Sequence, residues 1–266
     1  MSRDVYTHGH HESVLRSHTW RTAENSAAYL LPRLRPGLSL LDVGCGPGTL
    51  TVDLARRVAP GRVVGLDRAG DVLGGARAHA EGAGVAVEFA EGDVYALDFA
   101  DASFDVVHAH QVLQHLTDPV AALREMRRVV RPDGIVAVRD SDYACFVWTP
   151  ADPRLLRWLD VYRAVARRNR AEPDAGRHLK AWANAAGFRE VVATSSTWTF
   201  ADPASCAWWG GLWADRCTLS AFGEQAIAYG LASRDELAEM AEAWRRWSRE
   251  PDAWFVALHG EVVARP

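Results

Sequence analysis

Leu40-Leu41-Asp42-Val43-Gly44-Cys45-Gly46-Pro47-Gly48 is a short apolar run that ends in a glycine-rich turn. Thr49 to Val58 follows with apolar residues at helical spacing. Glycines at a strand-to-helix turn let the backbone approach a ligand and adopt angles closed to other residues. The spacing is GxGxG. A dinucleotide fingerprint, GxGxxG, needs glycine at position 49, where Thr49 stands. Pyrophosphate is therefore disfavoured as the ligand. Taken alone, the motif also fits a tight turn that binds nothing in an unrelated Rossmann-like protein.

The pattern continues outward from that turn. Arg62 to Leu66 reads as a second strand closed by Asp67, and Asp71 to Ala80 as a helix. Val85 to Phe89 and Phe104 to Ala109 read as strands, Pro119 to Val130 as an amphipathic helix, and Ile135 to Val138 as a strand after the Asp133-Gly134 turn. Short apolar strands separated by helices predict a parallel, doubly wound α/β sheet with right-handed crossovers. Arg154 to Arg170 and His178 to Ala186 read as further helices. Gly187 stops the second before a strand over Phe188 to Ala193, and a last strand covers Trp254 to Val263.

About sixty residues separate those two strands, too many for a plain connection. The stretch holds Trp198, Trp208, Trp209 and Trp213, and Ser233-Arg234-Asp235-Glu236 has the form of a capping box. Of eleven tryptophans only Trp20 precedes residue 148, which separates a plain core from an aromatic-rich remainder. The expected organisation is an N-terminal arm and covering helix (1–37), a core (38–197), a helical Trp-rich cap insert (198–252) and a final core strand (253–266).

The 266 residues are 48% hydrophobic and 24% charged, which excludes a disordered or fibrous chain. Thirty Lys+Arg against thirty-four Asp+Glu give −4, so there is no bulk pull toward nucleic acid or anionic lipid. No apolar run approaches the ~20 residues of a membrane span, and Met1 to Trp20 lacks the apolar stretch of a secretory signal. Cys45, Cys145, Cys206 and Cys217 form no CxxC pair, which argues against structural zinc and a disulfide framework. A cytoplasmic monomer or homodimer is expected.

Two acidic residues follow the next strands. Asp67, at the end of the second, has the position from which a carboxylate accepts from ribose hydroxyls; it also suits a helix N-terminus. Asp93, in Gly92-Asp93-Val94 after the third, suits either an adenine amine or solvent. In this order Gly44 to Gly48, Asp67, Gly92-Asp93, Phe104-Asp105-Val106-Val107 and Arg128-Val129-Val130-Arg131-Pro132-Asp133-Gly134 resemble the motif series of class I S-adenosylmethionine-dependent methyltransferases, and most of all the ubiquinone/menaquinone-biosynthesis branch. The likeness spans residues 20–140 and weakly Ala185-Gly187-Phe188.

The resemblance implies a Rossmann-like seven-stranded sheet with its last strand antiparallel, an N-terminal helical cover, and a helical insert between the last two strands. It implies S-adenosylmethionine (SAM) as cofactor. Gly44 and Gly46 would contact its methionine part, Asp67 its ribose, and Asp93 with Val94 its adenine; Asp42, Cys45 and Arg68 join the same set. His110 and Gln111 would flank the sulfonium. The segment from Ser17 opens a helix ending near Leu34 that would cover the cofactor. Arg21 on it either forks to the cofactor carboxylate or lies exposed. The Trp-rich insert departs from the quinone branch, so quinone substrates do not carry over with the fold.

Candidate catalytic residues are His110 and His115, nearly one helical turn apart. Each is a general base with an unperturbed pKa or a histidine that bonds a backbone carbonyl. His8, His10, His11 and His18 crowd the N-terminus without a Cys or carboxylate set to complete a metal site. Tyr143, Trp208, Trp209 and Trp213 are candidates for an aromatic acceptor pocket or for plain packing, and Asp142 and Asp215 are the polar groups nearest them in sequence. The expected function is methyl transfer to carbon, oxygen or nitrogen of a small aromatic metabolite, indole carbon included. A quinone-precursor methyltransferase and a non-catalytic SAM-binding protein are the alternatives.

Overall fold

β1 (Leu40–Val43) is apolar but for Asp42 and buried along its whole length, as a central strand of a parallel sheet must be. The computed structural model describes residues 4–7 and 12–266, so His8, His10 and His11 lie outside the described residues. β2 (Val63–Asp67) and β4 (Phe104–His110) flank β1 in parallel. β3 (Glu88–Glu91) adds beyond β2, and β5 (Val130–Ser141) beyond β4. β8 (Trp254–Arg265) runs antiparallel between β5 and β7 (Glu190–Phe200). The order is therefore 3-2-1-4-5-8-7, with β8 alone reversed, as expected.

An eighth strand was not legible. β6 (Val147–Thr149) pairs with Val256 to Trp254 of β8, beyond the point where β5 parts from it at His259. A twelve-residue β8 outruns its neighbour and leaves backbone groups for another strand to satisfy.

α2 (Ala23–Ser26) and α3 (Thr49–Val58) pack on one face of the sheet, and α5 (Pro119–Val129) and α7 (Leu179–Ala185) on the other. The third strand starts later than expected because Gly84 (φ +64) and Val85 close the end of α4 (Gly70–Gly82) by donating to Glu81 and Ala80 carbonyls. The single covering helix expected to end near Leu34 is broken. α1 (Glu12–Thr19) stops, and Thr22 turns extended (φ −124) to cap α2. The Thr22 hydroxyl accepts from the Asn25 N–H while the Asn25 side chain accepts from the Thr22 N–H. A 3₁₀ turn over Leu31–Arg33 completes the segment.

The long β7–β8 connection holds α8 (Pro203–Leu219), α9 (Ala221–Ala228) and α10 (Arg234–Trp247), and both bonds of the Ser233/Glu236 capping box form. One boundary changes. β7 runs on to Phe200, so Trp198 belongs to the sheet rather than the insert. The insert does not close on itself. Its tryptophans pack on α6 (Pro153–Arg168): Trp158 lies 4.5 Å from Trp213 and 4.8 Å from Trp244, centroid to centroid. Three helices with apolar stripes need a fourth face to bury them, and α6 supplies it. Among the described residues no helix is long and apolar enough to cross a membrane.

Candidate active site

A cavity of about 360 Å³ opens at the C-terminal ends of β1, β2 and β4, where the chain order reverses between β1 and β4. That is the ligand-binding edge of doubly wound sheets. Its floor is the loop after β1. Gly44 (φ +70) has no room for a side chain: a Cβ would come within 2.4 Å of Val112 Cγ2. Gly46 (φ +54) faces open space, with His18 Nδ1 3.7 Å from where a Cβ would stand.

The loop amides are already used. Gly44 and Cys45 donate to the Leu66 carbonyl, Gly48 donates to Cys45, and Gly46 donates to Asp67 Oδ2 at 2.8 Å. Pro47 has no N–H. Such a loop cannot cradle a pyrophosphate as a dinucleotide loop does, which agrees with Thr49 in place of glycine.

Asp67 also accepts from the Ala69 N–H at 2.9 Å, so its carboxylate is fixed beside the loop. Asp93 and Val94 line the same wall. Asp93 accepts from the Tyr95 N–H at 3.0 Å. Arg68 is half exposed, 3.9 Å from Asp4. Asp42 is buried at the floor, taking the Thr51 hydroxyl at 2.6 Å and facing His108 Nδ1 at 2.7 Å. Its partners show it tying β1 to α3 and β4. Burial pushes the Cys45 thiol up, so it is inert at neutral pH.

Gln111 is the hub of the opposite wall. It is a non-glycine residue at φ +54, a strained conformation that clusters at functional sites. Its side-chain oxygen accepts from Arg21 Nη2 at 2.6 Å. Its amide nitrogen lies 2.9 Å from both Ser141 Oγ and His259 Nε2. Arg21 is partly buried, its Nε has no partner, and its guanidinium is 6.0 Å from the Trp198 ring. Burial lowers its pKa to about 10, which leaves it cationic at neutral pH.

Both histidines line the cavity, but the premise of an unperturbed pKa is corrected. His110 is 4% exposed, and neither ring nitrogen has a partner. Burial, then the charges of Arg21 and Arg139, hold it well below the ordinary histidine range. His115 is pushed down to about 3 by burial and Arg21. It stands edge-on to Tyr6 at 4.8 Å, with Gln114 Nε2 3.0 Å from its Nε2. Both rings are neutral and resist taking a proton.

Of the residues expected to hold an acceptor, Tyr143 and Trp209 line the cavity; Trp208, Trp213, Asp142 and Asp215 do not. The helical period explains the division on α8. At about 100° per residue, Trp209 and Arg216 fall on one side, whereas Trp208 and Asp215 lie about a third of a turn away. Trp208 packs on Trp20 at 5.3 Å, and Asp215 pairs with Arg16 at 2.6 Å. Trp213 is fully buried between Trp158 and Trp244. Asp142 is gripped by the Arg177 fork at 2.7 and 2.6 Å. Sequence reasoning missed Tyr6, Phe146, Trp198 and Arg216, all in the wall. Only Arg216 left a signal, seven residues after Trp209.

These residues fit SAM. Two carboxylates, Asp67 and Asp93, are fixed in the cavity wall by backbone N–H groups, the partly buried Arg21 has a buried Nε–H without a partner, and the loop amides are already engaged. A family profile described as a methyltransferase domain matches residues 34–198. An uncharacterised methyltransferase of Schizosaccharomyces pombe is 34% identical over 97% of this chain and 95% of its own. A ubiquinone biosynthesis O-methyltransferase of Azorhizobium caulinodans is 42% identical over 40% of this chain and 42% of its own. The SAM complex of phosphoethanolamine N-methyltransferase 2 of Haemonchus contortus superposes with a TM-score of 0.55, at 16% identity, over 90% of this chain and 51% of that one.

The fold and the site define a class I methyltransferase. The chain belongs to the SAM-dependent methyltransferase family, with relatives in its ubiquinone-biosynthesis branch, and its cofactor is S-adenosylmethionine.

Proposed function

We propose that this methyltransferase acts on a small aromatic metabolite seated between the glycine loop and α8. The observation that carries the reading is the outer wall of the cavity, where Tyr143, Phe146, Trp198 and Trp209 stand together. Ring faces offer a large stacking area at low entropic cost. Asp67 holds the ribose, Asp93 with Val94 the adenine, Gly44 and Gly46 the methionine part, and Arg21 the carboxylate. When bound, the cofactor supplies a methyl group already activated by its sulfonium. The protein's task is then alignment and exclusion of water.

His110 and Gln111 flank the reacting centre without acting as strong bases. A proton on His110 is disfavoured by its burial and by Arg21. That supports an acceptor that needs no proton removed by a residue, such as an electron-rich indole carbon or an oxygen ionised before it enters. Quinone precursors are the second reading, favoured by the Azorhizobium relative. A net charge of −4 speaks against nucleic acid as acceptor. A cytoplasmic monomer or homodimer acting on a soluble metabolite is the setting this reading takes.

The test is methyl transfer to a panel of indoles, phenols and naphthols against aliphatic amines and alcohols. The expected result is activity on the aromatic set alone. Trp209→Ala should keep cofactor affinity and lose turnover at least tenfold, while Trp208→Ala keeps both. A preference for aliphatic acceptors, or full turnover in Trp209→Ala, would overturn the reading.

A further inference from the structure

We propose that the aromatic acceptor carries a carboxylate, and that Arg216 at the cap end of the cavity binds it. This rests on the aromatic-acceptor reading above. The charges in the cavity wall are segregated. Among the described lining residues the carboxylates are Asp4, Asp42, Asp67 and Asp93. Asp42 lies in β1, Asp67 ends β2 and Asp93 follows β3. Asp4 is also tied down on that side, accepting from the Thr117 N–H at 2.9 Å and from Tyr95 Oη at 3.3 Å. The anionic side chains of the wall thus gather at its strand-end side.

The cap end is different. Arg216 comes from α8, the helix that also supplies Trp209. It is 4% exposed and lies over the Trp213 ring at 4.8 Å, and its Nη2 donates to Ser17 Oγ at 2.6 Å. The stacking and the Ser17 bond fix the guanidinium plane. Burial holds the pKa of Arg216 below the usual arginine range. An arginine stays charged even so, and a fork of N–H donors is the geometry that recognises a carboxylate. Tyr143, in the same wall, is pushed up to about 12 by burial and stays a neutral phenol. It offers an O–H rather than a competing charge.

A cation placed in a low-dielectric wall attracts an anion more strongly than a surface cation does, and it repels an amine. The ring of the acceptor would then lie on Trp209 and Phe146, with its acid group toward Arg216 and its nucleophilic atom toward His110. An amine acceptor would meet Arg216 at the cap end, a like-charge encounter with little solvent to screen it.

The experiment uses the full chain saturated with S-adenosylhomocysteine and follows quenching of tryptophan fluorescence. Matched probes are indole-3-acetate against indole-3-acetamide, 4-hydroxybenzoate against 4-hydroxybenzamide, and 1-naphthoate against 1-naphthamide. The expected result is that the acids bind at least tenfold tighter than their amides. Arg216→Gln should close that gap by weakening the acids alone, and Arg216→Lys should keep part of it. S-adenosylhomocysteine affinity, measured separately, reports the fold of each variant and should not change. Equal binding of acids and amides by the unmodified protein, or a gap that survives in Arg216→Gln, overturns the proposal. If neither acids nor amides bind, the aromatic-acceptor reading fails and takes this one with it.

Discussion

Acidification from about pH 6 to about pH 5 should cost this fold about 2.7 kcal/mol, and the Asp140→Asn variant should lose more. Three histidines set the direction, His110 and His259 buried and His115 partly so. His110 and His259 are held well below the ordinary range, first by burial and then by neighbouring arginines, and His115 lies at about 3. Each titrates near ~6.5 once unfolded. In this window the unfolded chain therefore binds three protons that the folded chain refuses. Asp140 has the opposite sign. Burial raises its pKa to about 7 from 3.8, so the folded chain keeps one proton that the unfolded chain has lost. The stability from that raised pKa is full at low pH and disappears as pH climbs through about 7. The net difference is two protons, each worth about 1.4 kcal/mol per pH unit, and stability falls as pH falls.

Asp140→Asn removes the opposing proton. Asp140 Oδ1 accepts from the Gln114 N–H at 3.0 Å, and an asparagine oxygen can keep that bond. The slope should steepen to three protons, about 4 kcal/mol per pH unit. Above pH 7 the variant should be more stable than the parent, because it no longer buries an ionised carboxylate, by at most about 4 kcal/mol. Urea unfolding followed by circular dichroism at half-unit pH steps measures both. A flat profile between pH 6 and 5, or a variant whose slope matches the parent's, would refute the reasoning.

Gly46→Leu should abolish SAM binding in calorimetry while the far-ultraviolet spectrum stays native, since φ is +54 and the side chain would enter the cavity; retained affinity would remove the loop from the cofactor site. Asp67→Ala should weaken SAM by roughly 1.5–3 kcal/mol, the range for a hydrogen bond to a charged group; if the variant still rejects a deoxyribose analogue as fully as the parent, the diol is read elsewhere. Trp213→Ala, which empties a fully buried site between α6 and α10, should cost about 3–5 kcal/mol in urea unfolding yet leave cofactor affinity of the folded protein intact; a small loss of stability would mean that the cap repacks.

The strand-end half of the cavity was legible because its geometry is local. Strand β1, the turn at Gly44 to Gly48 and helix α3 are consecutive, and Asp67 and Asp93 follow the ends of neighbouring strands. Chain direction and strand adjacency place them at one edge before any long-range contact is known. The acceptor half was legible only as composition. A Trp-rich insert signalled an aromatic cap, but Trp208, Trp209 and Trp213 are equal in sequence and unequal in space. The rotation of α8 against α6 and α10 turns Trp209 and Arg216 inward, buries Trp213 among tryptophans and leaves Trp208 beside Trp20. Tyr6 reaches His115 across more than a hundred residues, which no spacing rule anticipates.

By itself, then, the sequence determined the class of fold, the reversed last strand and the glycine turn at the C-terminal edge of the sheet, because strand–turn–helix units follow from periodicity and glycine placement. Tertiary structure alone decided the charge and proton affinity of the site. A histidine's pKa and an arginine's partner depend on burial and on groups brought from distant segments. His110, at the end of β4, is an ordinary imidazole in the chain, and its pKa falls well below the ordinary range only when β5, β8 and the Arg21 segment close over it.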